Sequence, residues 1–228
     1  MNIVFTIASI VCTIVIFLMM TRLYKRITHP LLVPIATTTF VILVFLLIFS
    51  IPYETYMFGG KWIDELLGPA VVALAYPLYQ NRKSLQEFFM PIIIGVFAGS
   101  TIGIATGFYF SKVLAIDPKI ILSIAPKSVT TPVAMDIASV TGGVPALAAV
   151  YVMIAGISGA MFGPLLLKMV KVDHFVGVGL GFGTASHGIG TSRALEIGTH
   201  EGAISSIAMI LSAVYTSIML PVLVSLFL

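Results

Sequence analysis

Apolar residues run along this chain in long blocks rather than alternating or recurring on one helical face. The first two blocks cover about residues 2 to 21 and 31 to 51 and are separated by the basic segment RLYKRITH. A short acidic-leaning stretch follows from about 53 to 65, then an apolar segment from about 66 to 79 that ends in a basic turn, NRKSL. Further apolar runs occupy about 88 to 113, 144 to 167 and 203 to 228. A helix needs about 20 apolar residues to cross the hydrocarbon core of a bilayer, so the pattern predicts an all-α polytopic bundle with about six to eight crossings.

Two stretches interrupt this pattern. IILSIAPKSVTTPVAMDIASVTGG holds two internal prolines, a lysine, an aspartate and several hydroxyl residues, and GVGLGFGTASHGIGTSRALEIG is similarly polar and rich in glycine. Neither predicts a uniform helix. A self-shift of 60 residues superposes them, with identity at Ala125/Ala185, Thr131/Thr191, Ala134/Ala194, Ile137/Ile197 and Gly142/Gly202. Lys127 then falls on His187, Asp136 on Glu196 and Ser139 on Thr199. The matched order of basic, hydroxyl and acidic residues reads as an internal repeat. The chain is accordingly read as one integral membrane domain, 1–228, with two N-terminal helices in 1–51 and repeat units at 62–114, 117–170 and 172–228, of which the first is a degenerate copy carried by AYPLYQNRKSL.

Composition agrees with the pattern. Of 228 residues, 59% are hydrophobic and 9% charged, against about a quarter charged in a soluble domain, which leaves no room for a separate soluble catalytic domain. The formal net charge is +3, but its cations lie mostly in short loops, a distribution that orients a membrane protein and does not suit nucleic-acid binding. Cys12 is the single cysteine and forms no internal disulfide. Residues 1–21 lack a basic leading region and are followed by Arg22, Lys25 and Arg26, so they read as a retained first helix with an external N-terminus.

Loop charge also discriminates between topologies. If both polar stretches cross fully, Arg22, Lys25, Arg26, Arg82 and Lys83 lie inside against Lys61, Lys112, Lys119, Lys168 and Lys171 outside. If both re-enter, Lys168 and Lys171 move inside. The positive-inside rule favours re-entry, which makes the two copies inverted, as in many secondary transporters.

Chemistry concentrates in the two polar stretches. Thr131 followed by Pro132 predicts a helix start, and Gly142 with Gly143 a stop; Thr191 and Ser192 hold the matching start. Unpaired N–H groups at a helix start favour an anion, and Lys127, His187 and Arg193 add donors and charge. Candidate substrate-binding residues are therefore Lys127, Ser128, Thr130, Thr131, Ser186, His187, Thr191 and Arg193, with Asp136 and Glu196 as coupling or pairing residues. The bland alternative is structural glue, Lys127 with Asp136 and Arg193 with Glu196. The four-spaced glycines Gly95, Gly99, Gly103 and Gly107, and the pairs 177/181 and 179/183, read as close-packing faces. The histidines are scattered, which argues against a metal site, and no cofactor is implied. GISG at 156–159 with His187 offers a Ser–His pair, a minor reading as an intramembrane serine protease; otherwise the chain is not read as an enzyme.

At APKSVTTPVAMDIASVTGG, GTASHGIGTSRALEIGTHEGAISSIAM and LAYPLYQNRKSL the sequence resembles the LrgB/CidB family of bacterial inner-membrane proteins, over most of the chain from about residue 53 onward. The resemblance implies two descriptions. One is a holin/antiholin-like role in murein hydrolase control and autolysis, with a small LrgA/CidA-type membrane partner. The other is transport, since a plastid relative with fused LrgA-like and LrgB-like parts exchanges glycolate and glycerate and some bacterial pairs are associated with pyruvate uptake. The expectation taken forward is a homo-oligomeric carrier of small monocarboxylates (pyruvate, lactate, glycolate or glycerate type) in the bacterial inner membrane. It would work with an LrgA/CidA-like partner, with H+ or Na+ as candidate coupling ions.

Overall fold

The computed structural model describes residues 2–27, 32–66, 69, 72–73, 75–80 and 82–227, and every regular element among them is helical. Thr28 and His29 of the basic segment, and most of 67–74, lie outside the described residues. The chain divides into two compact units, Met1–Ala73 and Leu74–Leu228. The division falls inside the stretch read as the first repeat unit.

The first unit holds α1 (Asn2–Ile27), α2 (Pro34–Ile48) and α3 (Tyr53–Asp64). α1 does not stop at the basic segment but continues through Arg22, Lys25 and Arg26, where cations complement the negative end of the helix dipole. It packs on both α2 and α3. Gly59 of α3 makes the close approach possible, since a Cβ there would meet the Thr6 carbonyl oxygen and lie 2.8 Å from Ser9 Cβ. The Thr13 and Tyr56 hydroxyls then bond across that contact at 3.0 Å.

The second unit holds α4 (Ala75–Gln80), α5 (Arg82–Glu87), α6 (Phe89–Val113), α7 (Pro118–Ile124), α8 (Thr131–Thr141), α9 (Pro145–Met169), α10 (Phe175–Ile197) and α11 (Thr199–Phe227). The segment expected to be a turn, NRKSL, is instead mostly helical: α5 begins at Arg82, in a stretch of good helix formers without glycine or proline. Arg82 donates to the Tyr79 carbonyl at 3.0 Å and stacks its guanidinium over the Tyr79 ring, which joins α4 to α5.

Among the described residues, four helical segments are long and apolar enough to cross a membrane: Ile3–Ile27, Phe89–Phe110, Pro145–Met169 and Thr199–Ser225. They correspond to four of the apolar blocks in the sequence. α2 has 15 residues, about 22 Å of helix, and is shorter than a hydrocarbon core. α7–α8 and α10 carry the polar stretches and are each interrupted.

In the second unit α10 and α11, separated by Gly198 alone, pack closely against each other. The pair closes because Gly179 and Gly183 present bare backbone to α11. A Cβ at Gly179 would lie 2.7 Å from Ile204 Cβ, and one at Gly183 would lie 2.7 Å from Ala208 Cβ. These are the small-residue contacts by which helices associate where lipid supplies no hydrophobic drive. Ile92 and Val96 of α6, Val176 of α10 and Ile204, Ile207 and Ala208 of α11 fill one core cluster. A second cluster gathers Ile104 of α6, Ala125 and Val129 of the α7–α8 link, Ala134, Ile137 and Ala138 of α8, Ala148 and Val152 of α9, and Leu220 of α11.

Candidate functional site

The first break follows from two prolines. α7 starts at Asp117, whose side chain accepts from Lys119 N–H at 2.8 Å, and it ends before Pro126, which has no N–H to continue the ladder. Residues 125–130 form a short link in which Ala125, Pro126 and Val129 are buried, so it is anchored inside the protein rather than looped out. The cap of α8 is Thr130, one residue before the expected Thr131. Its backbone is extended (φ −66°, ψ 149°), Thr131 becomes the first helical residue and Pro132 the second. The Thr130 side chain makes no capping bond, and among the described residues its buried Oγ1 has no hydrogen-bond partner. At the other end the expected stop is present: Gly142 takes φ 89° and Gly143 N–H reaches back to the Ala138 carbonyl at 2.8 Å.

Lys127 projects from this link to α6, where Nζ donates to the Gly103 carbonyl at 3.0 Å. Its bond therefore goes to a backbone oxygen and not to Asp136, the partner the glue reading gave it. Asp136 is exposed on α8. Ser128 lies beside Lys127, its Oγ 3.8 Å from the point a Gly103 Cβ would occupy.

The second break is in α10, at His187, not before Thr191 as the sequence suggested. His187 has φ 43° and ψ −135°, outside the helical region, and residues 188–197 resume the helix beyond it. Gly190 permits the tight return, since a Cβ there would lie 2.5 Å from Ser186 Cβ and 2.8 Å from the Phe182 carbonyl oxygen. Thr191 therefore lies within the resumed helix, and its hydroxyl is committed to the His187 carbonyl at 2.8 Å and to Ser205 of α11 at 2.9 Å.

His187 is 3% exposed and donates from Nε2 to the Val152 carbonyl of α9 at 2.9 Å. The GISG segment receives this break. A Cβ at Gly156 would lie 2.7 Å from His187 Nε2, and one at Gly159 would overlap Ser186 Oγ. Ser158 donates to the Ala155 carbonyl at 3.1 Å, so among the described residues its hydroxyl and the His187 ring make separate backbone bonds and not the nucleophile–base contact a protease needs. Within that motif Gly156 meets His187 and Gly159 meets Ser186. Spacing alone was the available signal, with two glycines three apart on an apolar helix.

Val152 relates the two breaks. It accepts from His187 and belongs to the apolar cluster that includes Ala125 and Val129 of the first break and Ala134 of α8. Arg193 and Glu196 form an ion pair one turn apart on α10, with side chains 25% and 45% exposed. Ser100 of α6 bonds Ser212 of α11 at 2.8 Å in the core. The glycine face of α6 opposes both polar stretches: Gly95 and Gly99 face Leu180 and Thr184 of α10, while Gly103 and Gly107 face Ser128 and Lys127.

Comparison with known proteins decides the family. Residues 13–226 match the LrgB-like family. The chain belongs to that family. This LrgB-like chain is 48% identical to YxaC of Bacillus subtilis strain 168 over 218 residues, 96% of its own length and 95% of the relative's. It is 35% identical over 218 residues to the holin-like protein CidB of Staphylococcus aureus strain Mu50, and 34% identical over 218 residues to the holin-like protein CidB of Staphylococcus epidermidis strain ATCC 12228. Each of those matches covers 96% of this chain and 95% of the relative. No solved structure matches it. The LrgB-like assignment and the apolar helices together make this a membrane protein.

Proposed function

We propose that this LrgB-like protein carries small monocarboxylates of the pyruvate, lactate, glycolate or glycerate type across the membrane, together with a small LrgA/CidA-like partner. The observation that carries the reading is Lys127. It is a lysine in a helix break within a membrane protein, held by one backbone carbonyl and joined to no carboxylate among the described residues. Irregular backbone at membrane depth is tolerated where it is buried in protein or lines a cavity, and ionisable groups there mark pathways. A carboxylate supplies the missing charge, whereas a neutral sugar leaves the ammonium uncompensated.

The two polar stretches support the same reading. Each has a helical piece, a break and a second helical piece followed by a long apolar helix: α7, α8 and α9 in one case, the two parts of α10 and then α11 in the other. We read them as inverted re-entrant copies around a central site, with the N-terminus outside and H+ or Na+ as coupling ion. That arrangement is common among carriers.

A second reading rests on the comparisons. The two staphylococcal relatives are named holin-like over nearly their whole length, and those names favour a holin/antiholin-like role in control of murein hydrolases and autolysis over transport. The broken helices favour the carrier, because a holin-like lesion has no evident need of them. Uptake of labelled pyruvate and glycolate into proteoliposomes separates the two, with and without the partner and under an imposed proton or sodium gradient. Saturable flux with competition by related acids supports the carrier. Unsaturable leakage of unrelated solutes supports the holin-like reading, and absence of flux in every combination removes the carrier reading.

A further inference from the structure

The four glycines on one face of α6 are not equivalent. At Gly95 a Cβ would lie 2.6 Å from Leu180 Cδ1, and at Gly99 it would lie 3.1 Å from Thr184 Oγ1, so contact with α10 accounts for both. At Gly103 the nearest atom is Ser128 Oγ at 3.8 Å, and at Gly107 it is Lys127 Nζ at 3.7 Å. Those are ordinary van der Waals distances, and a methyl group would fit at either position. Close packing thus explains half of the stripe and leaves the other half unexplained, in front of the polar ends of the first break.

Two further observations at that break point to a bound group. Lys127 Nζ carries three donors, and among the described residues its one bond goes to the Gly103 carbonyl. Thr130 Oγ1, at the start of the 11-residue α8, is buried without a hydrogen-bond partner among the described residues. A buried hydroxyl without a partner is uncommon, and a helix start together with an ammonium is suited to an anion. We propose that Gly103 and Gly107 floor a binding subsite in which the carboxylate of a small acid bonds Lys127 Nζ, and the space left by the two missing side chains sets how large the remainder of the acid can be. This rests on the carrier reading for its ligand class and adds the residues that select by size.

The test compares binding of acetate, pyruvate and hexanoate, together with thermal unfolding, for the full-length protein in detergent and for variants. Gly103→Ala/Gly107→Ala should unfold at or above the wild-type temperature, because alanine is the better helix former. Its pyruvate affinity should fall about tenfold or more, while acetate, which lacks the extra carbon, changes by less than about threefold. Lys127→Gln should lose both acids. Gly183→Ala, where a Cβ would lie 2.7 Å from Ala208 Cβ and 3.0 Å from Met209 N, is the packing control and should unfold at lower temperature.

Unfolding of Gly103→Ala/Gly107→Ala as early as Gly183→Ala would assign those glycines to packing and overturn the subsite. An unchanged acetate-to-pyruvate preference would overturn it too, as would a wild-type protein that binds none of the acids. Saturable uptake with an unaltered size preference removes the subsite and keeps the carrier. Selective loss of pyruvate binding in a protein that catalyses no uptake does the reverse.

Discussion

His187 bonds the Val152 carbonyl through Nε2 at 2.9 Å, and it does so from a backbone conformation with φ 43° that residues with side chains rarely adopt. The imidazole reaches α9 because the chain turns at His187, and the bond holds the turn in place. Glycine is the residue best suited to the backbone and lacks the ring. His187→Gly should therefore keep the break while losing the bond to α9, and His187→Val, β-branched at positive φ, should cost about 1–3 kcal/mol more than the glycine variant. Chemical or thermal unfolding in detergent reads the difference. Equal stability of the two variants would remove the strain argument.

The same break depends on two notches in α9. A Cβ at Gly156 would press on the His187 ring, and one at Gly159 would overlap Ser186 Oγ, so Gly156→Ala and Gly159→Ala should each destabilise the protein by about 1–3 kcal/mol through overpacking. Gly181→Ala is the control: there a Cβ would lie 3.5 Å from Leu167 Cδ2, an ordinary contact, and stability should hold. If all three variants unfold alike, the notches are not specific.

Arg193 and Glu196 test glue against binding. Their pair is partly exposed and lies within one helix, so a double-mutant cycle with Arg193→Gln and Glu196→Gln should give a stability coupling below about 0.5 kcal/mol. If Arg193 contacts the carboxylate or its entry path, Arg193→Gln lowers acid affinity and Glu196→Gln does not. Equal effects of the two on acid binding would assign the pair to structure.

Re-entrant topology is tested by side-specific labelling. In a Cys12→Ala background, a cysteine at Thr141 should label from outside and one at Thr199 from inside. Thr199 is the better reporter than Gly198, where a new side chain would crowd the Glu201 carboxylate. Labelling of both from the cytoplasm would indicate that the polar stretches cross fully.

The apolar blocks alone are enough to place the helices long enough to cross a membrane, and the prolines, glycines and polar residues are enough to show that two stretches are interrupted. α6, α9 and α11 follow the apolar runs at 88–113, 144–167 and 203–228 because uninterrupted apolar composition is sufficient to make a helix a membrane span. The stop at Gly142 and the start near Pro132 were legible because proline and glycine act on their own backbone. The second break was misplaced. Thr191 looked like a start by analogy with Thr131, but the positive φ falls on His187, a conformation that local propensity disfavours and that the bond to Val152 and the notch at Gly156 support.

Which polar groups meet depends on how the helices pack. Lys127 has a carboxylate nine residues ahead in sequence, yet its bond goes to a carbonyl on α6, 24 residues back, because the α7–α8 link is anchored with Lys127 facing Gly103 and Gly107. The glycine stripe of α6 is uniform in sequence and divides in space into a half that α10 packs against and a half that faces Lys127 and Ser128. Spacing along one helix fixes which residues share a face. What that face meets depends on elements far away in the chain, so it is settled only when the helices pack.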